Sequence, residues 1–266
     1  MPDPASTPQL PSYLCCIRPF EPRDALAVKA MASEAATSTV WSFFTAALFR
    51  ETFWELLIAV EAVLFVVFGV PGDLCVLLVP AFFVFIFTSI WAAHQVRAVA
   101  AQSDLSNIPD TYQTSKRTNF WVAELYEPLL GPASAFQLTF VTPQDVEKYQ
   151  TDLGGLRRVV VGTVGIRKNR DEPEGGWLTR MAVLKPYRGH GIGTQLLEVA
   201  CRFCGDVGLT HVRLQTTECH DAAKSLFYKH GFQILNYMHK PMFAGVKVGV
   251  YMFTRNVKPS RQALNA

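Results

Sequence analysis

The chain has 266 residues, enough for one sizeable domain with an extra segment or for two small domains. Its formal net charge of +3, without a long basic block, argues against nucleic acid as a partner. Hydrophobic residues make up 50 % of the chain and charged residues only 18 %. Most of this apolar excess falls in one segment, so that segment decides the protein class.

The first elements indicate the start of a mixed α/β domain. Residues 1–12 are rich in proline and serine and are expected to be disordered. The stretch YLCCIRPF, residues 13–20, predicts a strand, and Pro22 and Asp24 open a predicted helix that ends near Ala36. We therefore assign residues 13–40 to the first strand and helix of a globular domain.

An apolar segment follows within residues 41–110. Leu74 to Ala93 lacks charge and is long enough to cross a hydrocarbon core of about 30 Å. Leu56–Val70 is also apolar, and Pro71-Gly72-Asp73 predicts a turn between the two stretches. A membrane hairpin, one span after an interfacial helix, and a buried helical pair all remain possible. The segment begins too late and is too long for a cleavable signal peptide, so we expect an internal anchor in contact with lipid.

The remaining elements alternate between the apolar spacing of strands and the apolar spacing of helices. Strands are predicted at 120–125, 159–166, 178–184, 211–217, 232–238 and 246–253, and helices at 191–204 and 222–230. Residues 127–158 contain several prolines and glycines and predict a long, partly ordered loop. The pattern predicts a mixed α/β domain at 111–256, followed by a flexible tail at 257–266.

Three glycines stand immediately before the helix predicted at 191–204, in the stretch YRGHGIGTQLL. Glycine permits positive φ angles and close approach of a ligand, and the N–H groups at a helix start attract anions. Arg188 adds a positive charge. The spacing fits neither the P-loop nor the Rossmann fingerprint. From these residues alone, a pyrophosphate site and a tight strand-to-helix turn both remain open.

The spacing Arg188-x-x-Gly191-x-Gly193, preceded by RMAVLKPYRG, resembles the acetyl-CoA loop of the GNAT superfamily of N-acetyltransferases. The later stretch AAKSLFYKHGF resembles the second signature of that family. Together with CIRPFEPRD and the apolar insertion, these motifs resemble a membrane-anchored branch that includes aspartate N-acetyltransferase and cysteine-S-conjugate N-acetyltransferase. The resemblance covers most of residues 13–255, and the long segment at 127–158 departs from it.

The resemblance implies a GNAT-like α/β fold, with a mostly antiparallel central sheet flanked by helices, that binds acetyl-CoA, and it implies no metal. Tyr228 matches the acid that protonates the leaving CoA thiolate. Asp221 matches a position near the cofactor, although it could equally cap the following helix. The implied cofactor-binding residues are Met181, Ala182, Val183, Arg188, Gly189, His190, Gly191, Ile192, Gly193, Thr194 and Asp221.

The general base is not evident from the resemblance. Related enzymes often place a glutamate on the fourth strand, and Trp177 occupies the matching position here. Glu218 is the better-placed carboxylate, His220 is an alternative, and a chain of water molecules could also carry the proton. Cys201 and Cys204 form a lone CxxC in a predicted helix, for which helix packing is expected in preference to metal binding.

The function implied is transfer of an acetyl group from acetyl-CoA to a primary amine, with a small amino acid or its conjugate as the expected acceptor. Protein lysines or N-termini are alternative acceptors, and a non-catalytic acyl-CoA-binding module is a third hypothesis. Arg180, Arg167 and Lys168 are candidates for binding an anionic acceptor. The internal anchor fits insertion into the endoplasmic reticulum membrane, while the side of the domain and the oligomeric state are not readable from the sequence.

Overall fold

The computed structural model describes residues 12–127, 137–148, 156–168, 172–241 and 247–259. In these residues the strands β1 to β8 are Ser12–Pro19, Asn119–Glu127, Gln137–Val141, Arg157–Lys168, Gly175–Val183, His211–Thr217, Gln233–Pro241 and Lys247–Asn256. The helices α1 to α8 are Ala25–Thr37, Val40–Leu48, Glu51–Val66, Gly72–Asp104, Ile108–Tyr112, Pro143–Lys148, Ile192–Asp206 and Asp221–Lys229. Short 3-10 turns occupy Pro22–Asp24 and Lys185–Tyr187.

The eight strands form one sheet in the order β3-β1-β2-β4-β5-β6-β8-β7. Neighbours β1–β2, β2–β4 and β4–β5 are antiparallel, whereas β1–β3 and β5–β6 are parallel. This arrangement confirms the predicted α/β class. The chain divides into two compact units: one contains Leu105–Leu214 with both ends of the chain, and the other contains Ala32–Asp104 with Gln215–Phe253.

In the first unit, helix α7 packs closely against the centre of the sheet. A Cβ atom on Gly162 of β4 would lie only 2.8 Å from a Leu196 methyl carbon of α7, so only glycine allows this approach. The rings of Trp121 and Phe203 meet edge-on at 4.9 Å on the same face. Because a short connection joins β5 to α7, this packing also fixes the start of α7.

A buried charge cluster joins β1 to β2. Two guanidinium nitrogens of Arg18 donate to the carboxylate of Asp24 at 2.7 and 2.9 Å, and Arg18 also donates to both oxygens of Glu124, at 2.9 and 3.1 Å. Burial alone would raise the pKa of the Asp24 and Glu124 carboxyls. The hydrogen bonds and charge of Arg18 outweigh burial and lower both pKa values.

In the second unit, α2 and α3 run against α4 as an antiparallel hairpin. Phe43 lies 4.9 Å from His94, and Phe53 lies 5.4 Å from Phe82, measured between ring centroids. Side chains of α2 and α3 thus contact α4, and the chain reverses direction at a turn that contains Gly69, whose φ is +64°. The apolar side chains near the turn are exposed, and Gly72–Val96 of α4 is long and apolar enough to cross a membrane.

Two details of the predicted elements were wrong. The segment at 127–158 contains β3, which extends the sheet in parallel beside β1, and helix α6. Helix α7, predicted to end at residue 204, continues to Asp206 and includes the buried Gly205, where a Cβ atom would lie 2.7 Å from the Lys258 carbonyl oxygen. The left-handed Gly208, with φ of +77°, follows the end of the helix. The predicted disorder at 1–11 and most of the predicted tail lie outside the described residues.

Candidate active site

Strand β5 carries a β-bulge that the sequence did not indicate. Thr163 pairs with Ala182 and Gly165 pairs with Thr179, so Arg180 and Met181 together oppose one residue of β4. Arg180 has φ of +54°, rare for a residue other than glycine. The Thr163 hydroxyl donates to the Arg180 carbonyl at 2.8 Å and braces the bulge. The bulge redirects the backbone at the first residues predicted to bind the cofactor.

The pairing of β5 with β6 covers only the first part of β5. The parallel register runs from Gly175 opposite His211 to Leu178 opposite Leu214, whereas β5 continues to Val183. Met181, Ala182 and Val183, all half-buried, therefore lie beyond the paired register. An edge of this kind suits an extended ligand that adds to the sheet through main-chain hydrogen bonds.

The glycine-rich loop forms a backbone cradle at the start of α7. Gly189 and Gly191 have φ of +86° and +85°, which other residues rarely adopt. The first helical hydrogen bond runs from the Gln195 N–H to the Gly191 carbonyl, at 3.1 Å. The N–H groups of the preceding helical residues, Ile192, Gly193 and Thr194, thus point out of the helix end, where the helix dipole favours an anion. Among the described residues other than its chain neighbours, no atom lies within 4 Å of where a Cβ atom at Gly189 would be.

Two further contacts fix this loop. The Arg188 Nε donates to the Val183 carbonyl at 2.8 Å, which turns the chain back at the end of β5. The buried Tyr187 hydroxyl donates to the Glu127 carboxylate of β2 at 2.7 Å. Burial, followed by this hydrogen bond, raises the pKa of Tyr187, so the hydroxyl stays a donor. The sequence did not suggest this anchor, because its two residues lie 60 positions apart.

In the second unit, helix α8 carries Tyr228. Its side chain is 52 % exposed, and its ring meets Phe253 edge-on at 5.2 Å. Gly231, left-handed with φ of +75°, follows the end of this helix, close to the predicted end at residue 230. Asp221 does not cap the helix: His220 is the N-cap residue, and Asp221 lies in the first turn, 2.8 Å from Lys224. The Lys224 hydrogen bond lowers the pKa of this exposed carboxyl.

Glu218 lies just after β6 and forms an ion pair. Its Oε1 accepts from an Arg50 guanidinium nitrogen at 2.7 Å, and its backbone N–H donates to the Gly249 carbonyl at 2.9 Å. Lys224 Nζ donates to the Glu218 carbonyl oxygen at 2.8 Å. His220, the alternative base, has its Nδ1 2.7 Å from the Thr217 hydroxyl. Glu218 is therefore a half-buried carboxylate with a defined orientation.

The other candidate residues have contacts typical of packing. Arg167 lies over the Tyr112 ring at 5.8 Å, and Trp177 is half-buried within the paired part of β5. Cys201 and Cys204 are buried in α7, where burial raises the pKa of both thiols, that of Cys201 to about 11. Across the residues that the structure describes, no group of three or more His, Cys, Asp or Glu side chains could hold a metal ion.

Comparison with known proteins supports the motifs. Residues 109–232, which include every residue predicted for the site, match the family described as acetyltransferase (GNAT) family. N-acetyltransferase 8 of Rattus norvegicus is 27 % identical over 222 residues, which cover 82 % of this chain and 85 % of the relative. Probable N-acetyltransferase camello of Xenopus tropicalis is 26 % identical over 140 residues, which cover 53 % of this chain and 50 % of the relative. A GNAT acetyltransferase structure from Staphylococcus aureus aligns with TM-score 0.47 and 14 % identity, covering 92 % of this chain and 99 % of that one.

Proposed function

We propose that this chain, which carries a GNAT acetyltransferase domain and is an acetyl-CoA-dependent N-acetyltransferase, acetylates the primary amine of a small amino acid or conjugate while anchored in a membrane. The observation that carries the donor assignment is the pair of left-handed glycines, Gly189 and Gly191, directly before α7 and after a bulged strand. This arrangement suits a ligand with an extended arm and a pyrophosphate.

The donor would lie along the first unit. The backbone of Met181, Ala182 and Val183 would pair with the pantetheine arm in the manner of an added strand. Residues 188–194 would hold the pyrophosphate through loop and helix N–H groups, with Arg188 adding charge. One N–H group of the Met181–Val183 stretch would polarise the thioester carbonyl. His190 belongs to this loop and has no proton-transfer role in the proposal.

The chemistry requires one bond to form and one to break. The amine lone pair attacks the thioester carbonyl carbon, so the C–N bond forms and the C–S bond breaks. The amine proton passes to the base, for which Glu218 is the first candidate and His220 the second. Tyr228 donates its phenolic proton to the leaving thiolate. The phenolate then takes up a proton from solvent, which the exposed side chain allows.

The acceptor class is tested with purified protein in detergent. CoA release is measured with small amino acids, cysteine S-conjugates, lysine peptides and peptides with free N-termini. We expect an amino acid or its conjugate to give the highest kcat/KM. A preference for peptides would favour the protein-directed alternative, and acetyl-CoA binding without amine-stimulated release would overturn the proposal.

The membrane hairpin is supported by the sheet itself. Strands β1 and β2 pair directly along Leu14–Pro19, although the apolar insertion separates them in the chain. A single crossing would put these two strands on opposite sides of the membrane, where they could not pair. We therefore propose that the insertion begins and ends on the same side. From Phe53 to Val66, helix α3 rises roughly 20 Å, less than a hydrocarbon core of about 30 Å, which favours a hairpin that enters the bilayer without crossing it.

Topology is tested by adding a glycosylation tag to each of the two termini and expressing the tagged protein in cells. The endoplasmic reticulum is the proposed compartment. We expect both tags to give the same result, because both termini lie on one side. A third tag at the Gly69 turn is the control, and it should remain unmodified inside the bilayer. Modification of only one terminus would refute the hairpin.

A further inference from the structure

The apolar insertion contributes a charged residue that contacts the candidate base. We infer that Arg50, at the start of α3, is a positioning residue that orients the Glu218 carboxylate for proton transfer. The inference rests on the proposed function, in which Glu218 accepts the amine proton. It assigns the insertion a part in catalysis in addition to membrane anchoring.

The ion pair is shielded enough to hold one geometry. The Arg50–Glu218 distance is 2.7 Å, and the two side chains are 31 % and 26 % exposed. Arg50 is itself fixed, because its N–H donates to the Ala47 carbonyl and its carbonyl accepts from Phe53. A charge-assisted hydrogen bond in a partly buried setting is stronger and more directional than one on an open surface.

The insertion also holds the chain on either side of this ion pair. Cys219, the residue after Glu218, packs against the apolar cluster of α2, α3 and α4. Val248, the residue before Gly249, is buried in the same cluster. The Glu218 N–H donates to the Gly249 carbonyl. The two chain segments that position the Glu218 carboxylate, one at Cys219 and one at Val248, therefore both pack against the insertion.

This arrangement distinguishes the two oxygens of Glu218. Oε1 accepts from Arg50, whereas Oε2 lies against the Gly249 backbone, 2.6 Å from the position a Cβ atom would take there. The Tyr237 hydroxyl lies 2.5 Å from that same position. Oε2 is thus the oxygen directed towards β7 and β8 and is the one to accept a proton. Without Arg50 the carboxylate would rotate, and neither oxygen would stay in place.

The test measures kcat and both KM values for Arg50→Gln, Arg50→Lys, Glu218→Gln and the double variant Arg50→Gln/Glu218→Gln. Glu51→Gln is the matched control, since Glu51 is the exposed neighbour of Arg50 in the insertion. We expect Arg50→Gln to lower kcat about tenfold with KM for acetyl-CoA unchanged, and Arg50→Lys to lose only about two- to threefold. The double variant should be no slower than Glu218→Gln, because the two residues act as a unit.

Each contrary result has a distinct meaning. A normal kcat in Arg50→Gln alongside a slow Glu218→Gln overturns this inference and leaves the proposed function standing. A change confined to the amine KM also overturns it, because Arg50 would then bind the acceptor directly. An unaffected Glu218→Gln removes the proposed base and the inference together. If Arg50→Gln does not fold, Arg50→Lys decides, and a wild-type kcat in that variant overturns the inference.

Discussion

Replacing Gly191 by alanine tests the cradle at the start of α7. Gly191 has φ of +85°, so an alanine in this left-handed conformation destabilises the folded state by about 1–2 kcal/mol. Its new Cβ atom would meet only the Phe140 ring at 3.7 Å within the protein. The methyl group would instead occupy the space in front of the helix N–H groups. Losing one charge-assisted hydrogen bond to a phosphate costs about 1.5–3 kcal/mol, which weakens acetyl-CoA binding roughly ten- to hundredfold.

Gly208→Ala is the matched control for this prediction. Gly208 has φ of +77° and follows the other end of the same helix, so both variants carry a similar backbone strain. Each should lower the melting temperature by roughly 2–8 °C. Isothermal titration with acetyl-CoA should show weak binding for Gly191→Ala and wild-type binding for Gly208→Ala. Equal affinity in the two variants would refute the cradle assignment.

Three other variants test separate parts of the site and fold. Tyr228→Phe should lower kcat at least about a hundredfold while acetyl-CoA affinity stays unchanged, and a wild-type kcat would remove its role as an acid. Tyr187→Phe removes the hydroxyl that donates to the buried Glu127 carboxylate and leaves, among the described residues, only its ion pair with Arg157, so unfolding free energy should fall by about 1–3 kcal/mol and KM for acetyl-CoA should rise. Arg18 lowers the pKa of Asp24 and Glu124, so their stabilisation is present at neutral pH and is lost as pH falls below their ordinary values of 3.8 and 4.5. Thermal melts should therefore show wild type losing stability as pH falls below about 4.5. Arg18→Met should lose less, because its carboxylates keep only the contacts of the Glu21 N–H, the Tyr126 hydroxyl and Arg23.

Local features of the site could be predicted because their causes are local. Gly189, Gly191 and Gly231 stand where the chain needs positive φ, and no other ordinary residue adopts that conformation readily. Helix α7 could be predicted from the period of its apolar residues, and β2 and β4 from their apolar runs. The order of these elements along the chain was enough to indicate a mixed α/β class, and the resemblance of the motifs then implied the GNAT-like fold.

Features that depend on distant residues could not be predicted. The bulge at Arg180 depends on Thr163 and the register of β4, and the sequence there lacks the glycine that often marks a bulge. Arg50 and Glu218 lie 168 positions apart, and no spacing rule relates them. Strand β3 has only 5 residues, so its alternation of polar and apolar side chains over residues 137–140 is too short to indicate a strand.

The role of Asp221 shows the limit of a local rule. An aspartate before a predicted helix is a favourable N-cap, yet the helix begins one residue earlier than that rule requires. Asp221 instead pairs with Lys224 one turn later, where its charge still favours the helix start. Sequence patterns therefore located this residue at the helix terminus without fixing what it contacts.

The central claim is direct transfer of acetyl from CoA to an amine by this chain. The most direct measurement uses acetyl-CoA with an isotopically labelled acetyl group, the purified protein and the best amine from the screen, followed by mass spectrometry of both the amine and the intact protein. We predict that the label appears on the amine nitrogen, at the rate of CoA release, while the mass of the protein stays unchanged. Label retained on the protein, or label that never leaves CoA with any amine, would contradict the account.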